Sequence, residues 1–514
     1  MGTPYSKPAP VNEKSGDSIK INVDWTKASH LAKEQPSSDH TPPPPYLARE
    51  RLRTVTLPRM ENWSDALLSD AKNRLAISSF ASQSYAEVLT NRTAVNTDLH
   101  IFNLTVPVEG APITNQRSSG RCWLFASTNI FRVPLINTYK LGEFELSQAY
   151  LFYWDKIEKA NYFYEQMIDT AHEDFSSRLV QKLCEDPVTD GGQWDMVVNL
   201  VHKYGLVPHT LYPDAFHAQN SSKMNWLLTA KLREQGLALR QLAVRKATGE
   251  SQAEHLLAAT KEQFLQEIHS MVTLLLGPPP RPDEQFVWQY HDANGAAREV
   301  RQSPIEFGRQ ALGSGSGSKS GSRSRTCVNP GSLFSLVNDP RHEWNQLLTV
   351  ERLGNVVEGQ SLRYANVEMQ TLKQAVIAML KAGHPVFFGC DVGKFSDRDH
   401  GIMDVDLTNL SLGFNVSLGM NKAERLASGE SAMTHAMVIT GVHLEGDRSV
   451  RWRVENSWGE TAGNKGWFVM TDRWMDEYTF QAVVDSRFVS TETQAILKQT
   501  PKVLPRWDPM GVLA

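Results

Sequence analysis

Apolar residues recur at steps of three and four between residues 251 and 276, where Leu257, Phe264, Ile268, Met271 and Leu275 mark one face of a helix. Ser251 with Glu254 predicts a capping box at its start, and Gly277 followed by Pro278, Pro279 and Pro280 ends it. Comparable patterning begins near Trp63 and strengthens after Cys122. From about residue 385 the apolar runs shorten. Residues 386–388, 435–442, 451–455 and 467–470 are short stretches separated by turn residues, which predicts strands. Helices first and strands afterwards predict an α+β enzyme with two lobes. There is no internal repeat.

Two stretches interrupt this pattern. Residues 1–46 are rich in Pro, Ser, Lys and Asp and end in four consecutive prolines, so they read as a disordered or loosely draped arm. Residues 313–325 form a Gly/Ser tract with Lys319, Arg323 and Arg325, which predicts a flexible loop, and its glycines have no strand-to-helix context for cradling phosphate. The expected organisation is an arm at 1–54, a helical lobe at 55–210, a helical insertion at 211–365, a β-rich lobe at 366–500 and a tail at 501–514. The apolar run at 271–276 falls far short of the roughly 18–20 residues of a membrane span, and no transmembrane segment is expected.

The chain has 514 residues, 53 Lys plus Arg against 57 Asp plus Glu, and a formal charge of −4. That balance excludes a generally basic nucleic-acid coat while leaving room for a local patch. Four cysteines, Cys122, Cys184, Cys327 and Cys390, are too few for a disulfide scaffold and fit a reducing compartment. The first twenty residues lack the apolar core of a secretory signal, so the six Asn-x-Ser/Thr sequons read as chance and a cytoplasmic location is expected. Glu13 and Asp17 argue against a mitochondrial presequence without excluding a mitochondrial pool, and Gly2 to Ser6 meets only the loose myristoylation pattern.

Chemistry gathers at three places. Cys122 follows a polar, glycine-containing loop and opens an apolar helical stretch, where helix-end N–H groups, with Arg121 adding positive charge, favour a thiolate. By itself Cys122 reads better as a small buried hydrophobe. His435 opens a β-branched strand, and Asn456 to Gly459 lie just past another; alone, each is an ordinary core histidine or turn. Together they meet one mechanism's needs. A thiolate requires an imidazole, the imidazole an orienting partner such as Asn456, and the oxyanion two donors, the Gln116 amide and the Cys122 backbone N–H. Trp458 is placed to shield the His–Asn bond from water.

The chain order Gln116, Cys122, His435, Asn456, Trp458 is that of papain-like cysteine peptidases, with the two-lobe fold this implies. The resemblance extends to the bleomycin hydrolase family through the surroundings of those residues. The runs Glu145-Leu146-Ser147-Gln148-Ala149-Tyr150, Asp190-Gly191-Gly192-Gln193-Trp194, Val337-Asn338-Asp339-Pro340-Arg341 and Trp507-Asp508-Pro509-Met510-Gly511 carry it further. It covers roughly residues 55–514. Ser119 stands where secreted papains have a second cysteine, and Arg121 replaces a small residue. Cys122 and His435 are 313 positions apart against about 130–150 in papain, and the surplus matches the helical insertion.

The resemblance implies a homohexamer with sites facing a central channel, and a tail lying in its own cleft. The Ala514 carboxylate would then meet a peptide's free α-amino group and convert an endopeptidase fold into an aminopeptidase. It also implies hydrolysis of bleomycin and of homocysteine thiolactone. No cofactor and no metal are implied; His342-Glu343 lacks the second histidine of a zinc-peptidase motif. An alternative from another class rests on residues 221–246, with six cations against Glu234, together with the DNA binding of yeast relatives. Such a patch would hold DNA or RNA nonspecifically, independently of catalysis.

Overall fold

A computed structural model of the chain describes residues 55–97, 99–109, 111–312 and 330–514. The arm at 1–54, the Gly/Ser tract at 313–325 and Cys327 lie outside these residues. The chain divides into two compact units, 1–71 and 72–514. The first contributes the helix Leu57–Ser69, with Pro58 in its opening turn and no buried residue.

The second unit is organised around one large sheet. Its strands run in the order Lys502–Leu504, Gln346–Val350, Tyr364–Asn366, Phe334–Val337, Thr479–Val484, Val386–Cys390, His435–Glu445, Arg448–Glu455, Trp467–Thr471, Ile402–Met403 and Ser396–Asp397. The short strand Leu104–Thr105 pairs separately with His435–Glu445. The strands expected at 386–388, 435–442, 451–455 and 467–470 are all present, each as long or longer. Interior residues of three of them are almost wholly buried, because helices cover the sheet, while Arg448–Glu455 alternates toward its end. The sheet also recruits three strands from 334–366, where the sequence reading placed a helical insertion. These strands are three to five residues long, too short for alternation to show against helical neighbours.

Helix Cys122–Tyr139 is buried along most of its length, with Leu124, Phe131 and Leu135 fully inside, and packs against the strand carrying His435. Helices Gln148–Asp169, Ser222–Ala247 and Ala253–Leu276 pack on one another. The last of these ends at Gly277, as its sequence predicts, at φ 83°. Its start differs. There is no capping box at Ser251; the helix opens after Gln252, held at φ 70°, and Glu254 instead pairs with Lys246 of the preceding helix at 2.8 Å. A cation within reach competes successfully for the carboxylate that would otherwise cap the turn. Among the described residues, capping boxes form at Ser303 with Glu306 and at Asn421 with Glu424. The insertion also contains an unpredicted hairpin, Phe286–His291 with Ala297–Gln302. Asp292 forms its turn by accepting from the N–H groups of Asn294 and Ala296, both at 3.0 Å.

Candidate active site

Three elements converge. The loop 116–121 delivers Cys122 as the first residue of its helix, His435 is the first residue of its strand, and Asn456 follows the end of the neighbouring strand. Strands His435–Glu445 and Arg448–Glu455 pair antiparallel, with Val438 opposite Glu455, so the start of one lies beside the end of the other. All three side chains are buried, at 2% exposed for Cys122, 5% for His435 and 1% for Asn456.

His435 Nε2 and Asn456 Oδ1 are 3.0 Å apart. The same oxygen accepts from the Ser457 N–H at 2.8 Å, which fixes the amide's orientation and presents its oxygen to the ring. That bond selects the tautomer with hydrogen on Nε2 and leaves Nδ1 as the proton acceptor. The Trp458 ring lies 5.1 Å from His435, centroid to centroid, tilted by 36°. Trp458 in turn packs edge-on against Phe468.

Gln116 is held from three directions. Its backbone N–H donates to Ser457 O at 2.8 Å, its Oε1 accepts from Ser457 Oγ at 2.7 Å, and its Nε2 donates to Ser119 O at 2.7 Å. One Nε2 hydrogen is thereby used and one remains. Gln116 is thus tied through Ser457 to Asn456.

Arg121 directs its charge to Asp214. It is fully buried and grips Asp214 with two bonds, at 3.0 and 2.7 Å, with Phe125 and Phe152 rings against its guanidinium. Its role is to anchor the loop. Asp190, unremarked by itself in the sequence, is the loop's second anchor. It accepts from Gly120 N–H at 2.9 Å, Lys156 Nζ at 2.7 Å, Asn225 Nδ2 at 2.7 Å and Ser221 Oγ, while its own carbonyl takes the Trp123 indole N–H at 2.6 Å. Its neighbours, above all Lys156, hold its carboxyl well below the usual range despite burial.

Burial disfavours charge on both Cys122 and His435. Burial pushes the Cys122 thiol up to about 11, against partial relief from the backbone N–H groups of Ala436, Trp123 and Cys122. Burial takes His435 down to about 4, against the bond to Asn456. The helix-end N–H groups expected from sequence do act on Cys122, but desolvation outweighs them.

The tail lies against the loop at 191–193, beside Trp123. The Gly192 N–H donates to Ala514 O at 2.9 Å, and Gln193 Nε2 donates to Val512 O at 3.1 Å. A Cβ on Gly191 would lie 2.7 Å from Leu513 O, and one on Gly192 would lie 2.5 Å from the Trp123 indole. Only glycines let this backbone fit between the tail and the residue after Cys122. Arg341 holds Asp508 at 2.7 Å, and Arg178 packs on the Trp507 ring at 4.4 Å. Ala514 itself is 4% exposed, and a cavity of about 430 Å³ lies between the tail and the loop at 429–432.

Most of the cations at 221–246 are engaged by protein groups. Lys231 meets Glu234 and Glu267, Arg233 the carbonyls of Cys184 and Glu185, Arg245 Glu250, and Lys246 Glu254. Arg240 is buried on Thr170 Oγ1 and Glu173 O. The cysteines Cys122, Cys184 and Cys390 are free. Among the described residues no three His, Cys, Asp or Glu side chains gather as a metal set, and no helix is long and apolar enough to cross a membrane.

A family model, the Peptidase C1-like family, matches residues 54–511. Bleomycin hydrolase of Homo sapiens is 42% identical over 458 residues, covering 87% of this chain and 96% of its own. Cysteine proteinase 1, mitochondrial, of Saccharomyces cerevisiae is 40% identical over 480 residues, covering 92% and 95%. The crystal structure of PepW from Lactobacillus rhamnosis superposes with a TM-score of 0.83 at 36% identity, covering 90% of this chain and all of that one. The chain belongs to the Peptidase C1-like family and is a papain-like cysteine peptidase.

Proposed function

We propose that this cysteine peptidase is an aminopeptidase that removes N-terminal residues from peptides. The observation that carries this reading is the bond from Gly192 N–H to Ala514 O at 2.9 Å, next to the residues flanking Cys122. A tail seated there leaves no room for further residues on the amino side of the scissile bond. Its carboxylate is the natural counter-charge for a free α-ammonium, in a site dry enough for the attraction to count.

In the proposed mechanism, Cys122 passes its proton to His435 and attacks the carbonyl carbon. The oxyanion takes hydrogen bonds from the free Nε2 hydrogen of Gln116 and the Cys122 backbone N–H. As the C–N bond breaks, imidazolium returns the proton to the leaving amine, and a water deprotonated by His435 then hydrolyses the thioester. Asn456 holds the ring in position throughout, under the Trp458 cover. The amide of bleomycin and the thioester of homocysteine thiolactone are acyl donors with a nearby amine that the same machinery would accept.

The test uses a free-amino and an N-blocked aminoacyl fluorogenic substrate, with wild type and Cys122→Ala. Cleavage of the unblocked substrate alone, by wild type alone, is expected. Equal cleavage of both by wild type would retain the peptidase and remove the tail from the argument.

A further inference from the structure

The tail occupies one side of the cleft; the opposite side, where the leaving peptide must pass, has its own chemistry. Because His435 protonates the leaving amine, residues beyond the scissile bond run past the ring that covers His435, which is Trp458. The guanidinium of Arg398 lies over that indole, its Cζ 5.6 Å from the ring centroid. Its loop is tied down beside Trp458: the Arg398 carbonyl accepts from Gly463 N–H at 2.8 Å, and Gly401 N–H donates to Asp397 O at 2.9 Å.

The acids of this loop do not neutralise Arg398. Asp397 is engaged by His400 Nδ1 at 2.8 Å and by the backbone N–H groups of Asp399 and His400. Asp399 and Glu460 are exposed, and among the described residues Arg398 has no ion-pair partner. An exposed arginine whose guanidinium lies over an indole is held near that ring by cation–π attraction and keeps its N–H donors for a carboxylate.

We propose that Arg398 is a specificity residue for the leaving side, favouring peptides with a carboxylate just after the scissile bond. This rests on the aminopeptidase reading. The carboxylate has two sources, an Asp or Glu side chain at the second position, or the free C-terminus of a dipeptide.

The experiment measures kcat/KM for Leu-Asp-amide, Leu-Asn-amide and Leu-Lys-amide, and for Leu-Gly with free and amidated C-termini. It uses wild type, Arg398→Gln, Arg398→Lys and Arg398→Glu. Each preference is a ratio within one enzyme, so a partly folded variant does not distort it. Wild type is expected to favour Asp over Asn by about 2- to 5-fold, the range of exposed charge pairs, mostly through KM. Arg398→Gln levels that ratio, Arg398→Lys keeps part of it, Arg398→Glu reverses it toward Lys, and added salt shrinks it. A ratio above one confined to the free-carboxyl Leu-Gly pair assigns Arg398 to the peptide terminus instead of the side chain. An Asp:Asn ratio and a Leu-Gly ratio both unchanged by Arg398→Gln overturn the proposal while leaving the aminopeptidase intact. Failure of wild type to cleave any of these peptides overturns both.

Discussion

At the scale of single residues, the site is defined by how few hydrogen-bonding options each side chain retains. Gln116 is fixed by Ser457 and Ser119 so that one amide hydrogen stays free. Gln116→Ala is therefore expected to lower kcat by about 10²–10³ with a small change in KM, because the lost donor acts on charge that exists only in the transition state. Steady-state kinetics on an unblocked aminoacyl substrate checks this. Asn456→Asp would place a charge beside His435 in a buried site and raise the imidazole above its present depressed position. The acidic limb of the pH–rate profile should then move to higher pH than in wild type. Both side chains were legible in the sequence, since residue type and chain order suffice to name them. Arg121 was legible in identity and not in role. A basic neighbour of a cysteine predicts thiolate stabilisation, but Asp214, 93 positions away, takes both ends of the guanidinium.

At the scale of elements, short backbone approaches decide the design. Gly191 and Gly192 allow the tail to lie against the loop next to Trp123. Gly191→Ala would put a methyl 2.7 Å from Leu513 O and push the tail outward. N-blocked substrates should then gain kcat/KM by about 10-fold, as roughly 1.4 kcal/mol of tail docking is lost, while Cys122 remains titratable by thiol reagents. Lys422 illustrates the same dependence in a structural setting. Buried, it donates to Asn338 Oδ1 at 2.8 Å, Asp476 O at 2.9 Å and Thr479 O at 2.6 Å, joining the helix Lys422–Ser428 to the sheet. Burial depresses it to about 7, yet three acceptors around one nitrogen call for the three hydrogens of the ammonium form. Lys422→Met strands those acceptors and should cost about 3 kcal/mol in denaturant unfolding. Helix interiors and buried strands were visible in the sequence as periodicity. The hairpin at 286–302 was not, because it pairs with itself under distant cover from Tyr139 and Phe144, and the strands at 334–366 were not, because they pair with 479–484 and 502–504 far along the chain.

At the scale of the whole molecule, Asp195 couples the helical layer to the segment that enters the sheet. It lies on helix Trp194–Tyr204, accepts from Gln360 Nε2 and Arg363 N–H, both at 3.2 Å, and is pushed up to about 7 by burial. An acid raised in the fold above its unfolded value of 3.8 keeps its proton in the native state where the unfolded chain has released it. Its contribution is full below about pH 4 and is lost as pH climbs to about 7, up to roughly 4 kcal/mol. Asp195→Asn should flatten that decline, so the Tm difference between variant and wild type grows in the variant's favour from pH 5 to pH 8. Calorimetry across that range, with Cys122→Ala as a pH-neutral reference, measures it.

The sequence by itself determined the catalytic vocabulary: a cysteine opening a helix, a histidine opening a strand, an asparagine and a tryptophan after another strand, and the family they belong to. Local patterns suffice for that, because residue type, turn chemistry and periodicity are properties of neighbours along the chain. Only the tertiary structure decided that Arg121 serves Asp214, that Asp190 anchors the nucleophile loop, that the tail meets Gly192 and that Arg398 rests on Trp458. Each is a contact between residues distant in sequence, and its strength depends on burial and on which third group competes for the same charge. The physical reason is the same in every case: distance and desolvation, which set these energies, exist only once the chain has folded.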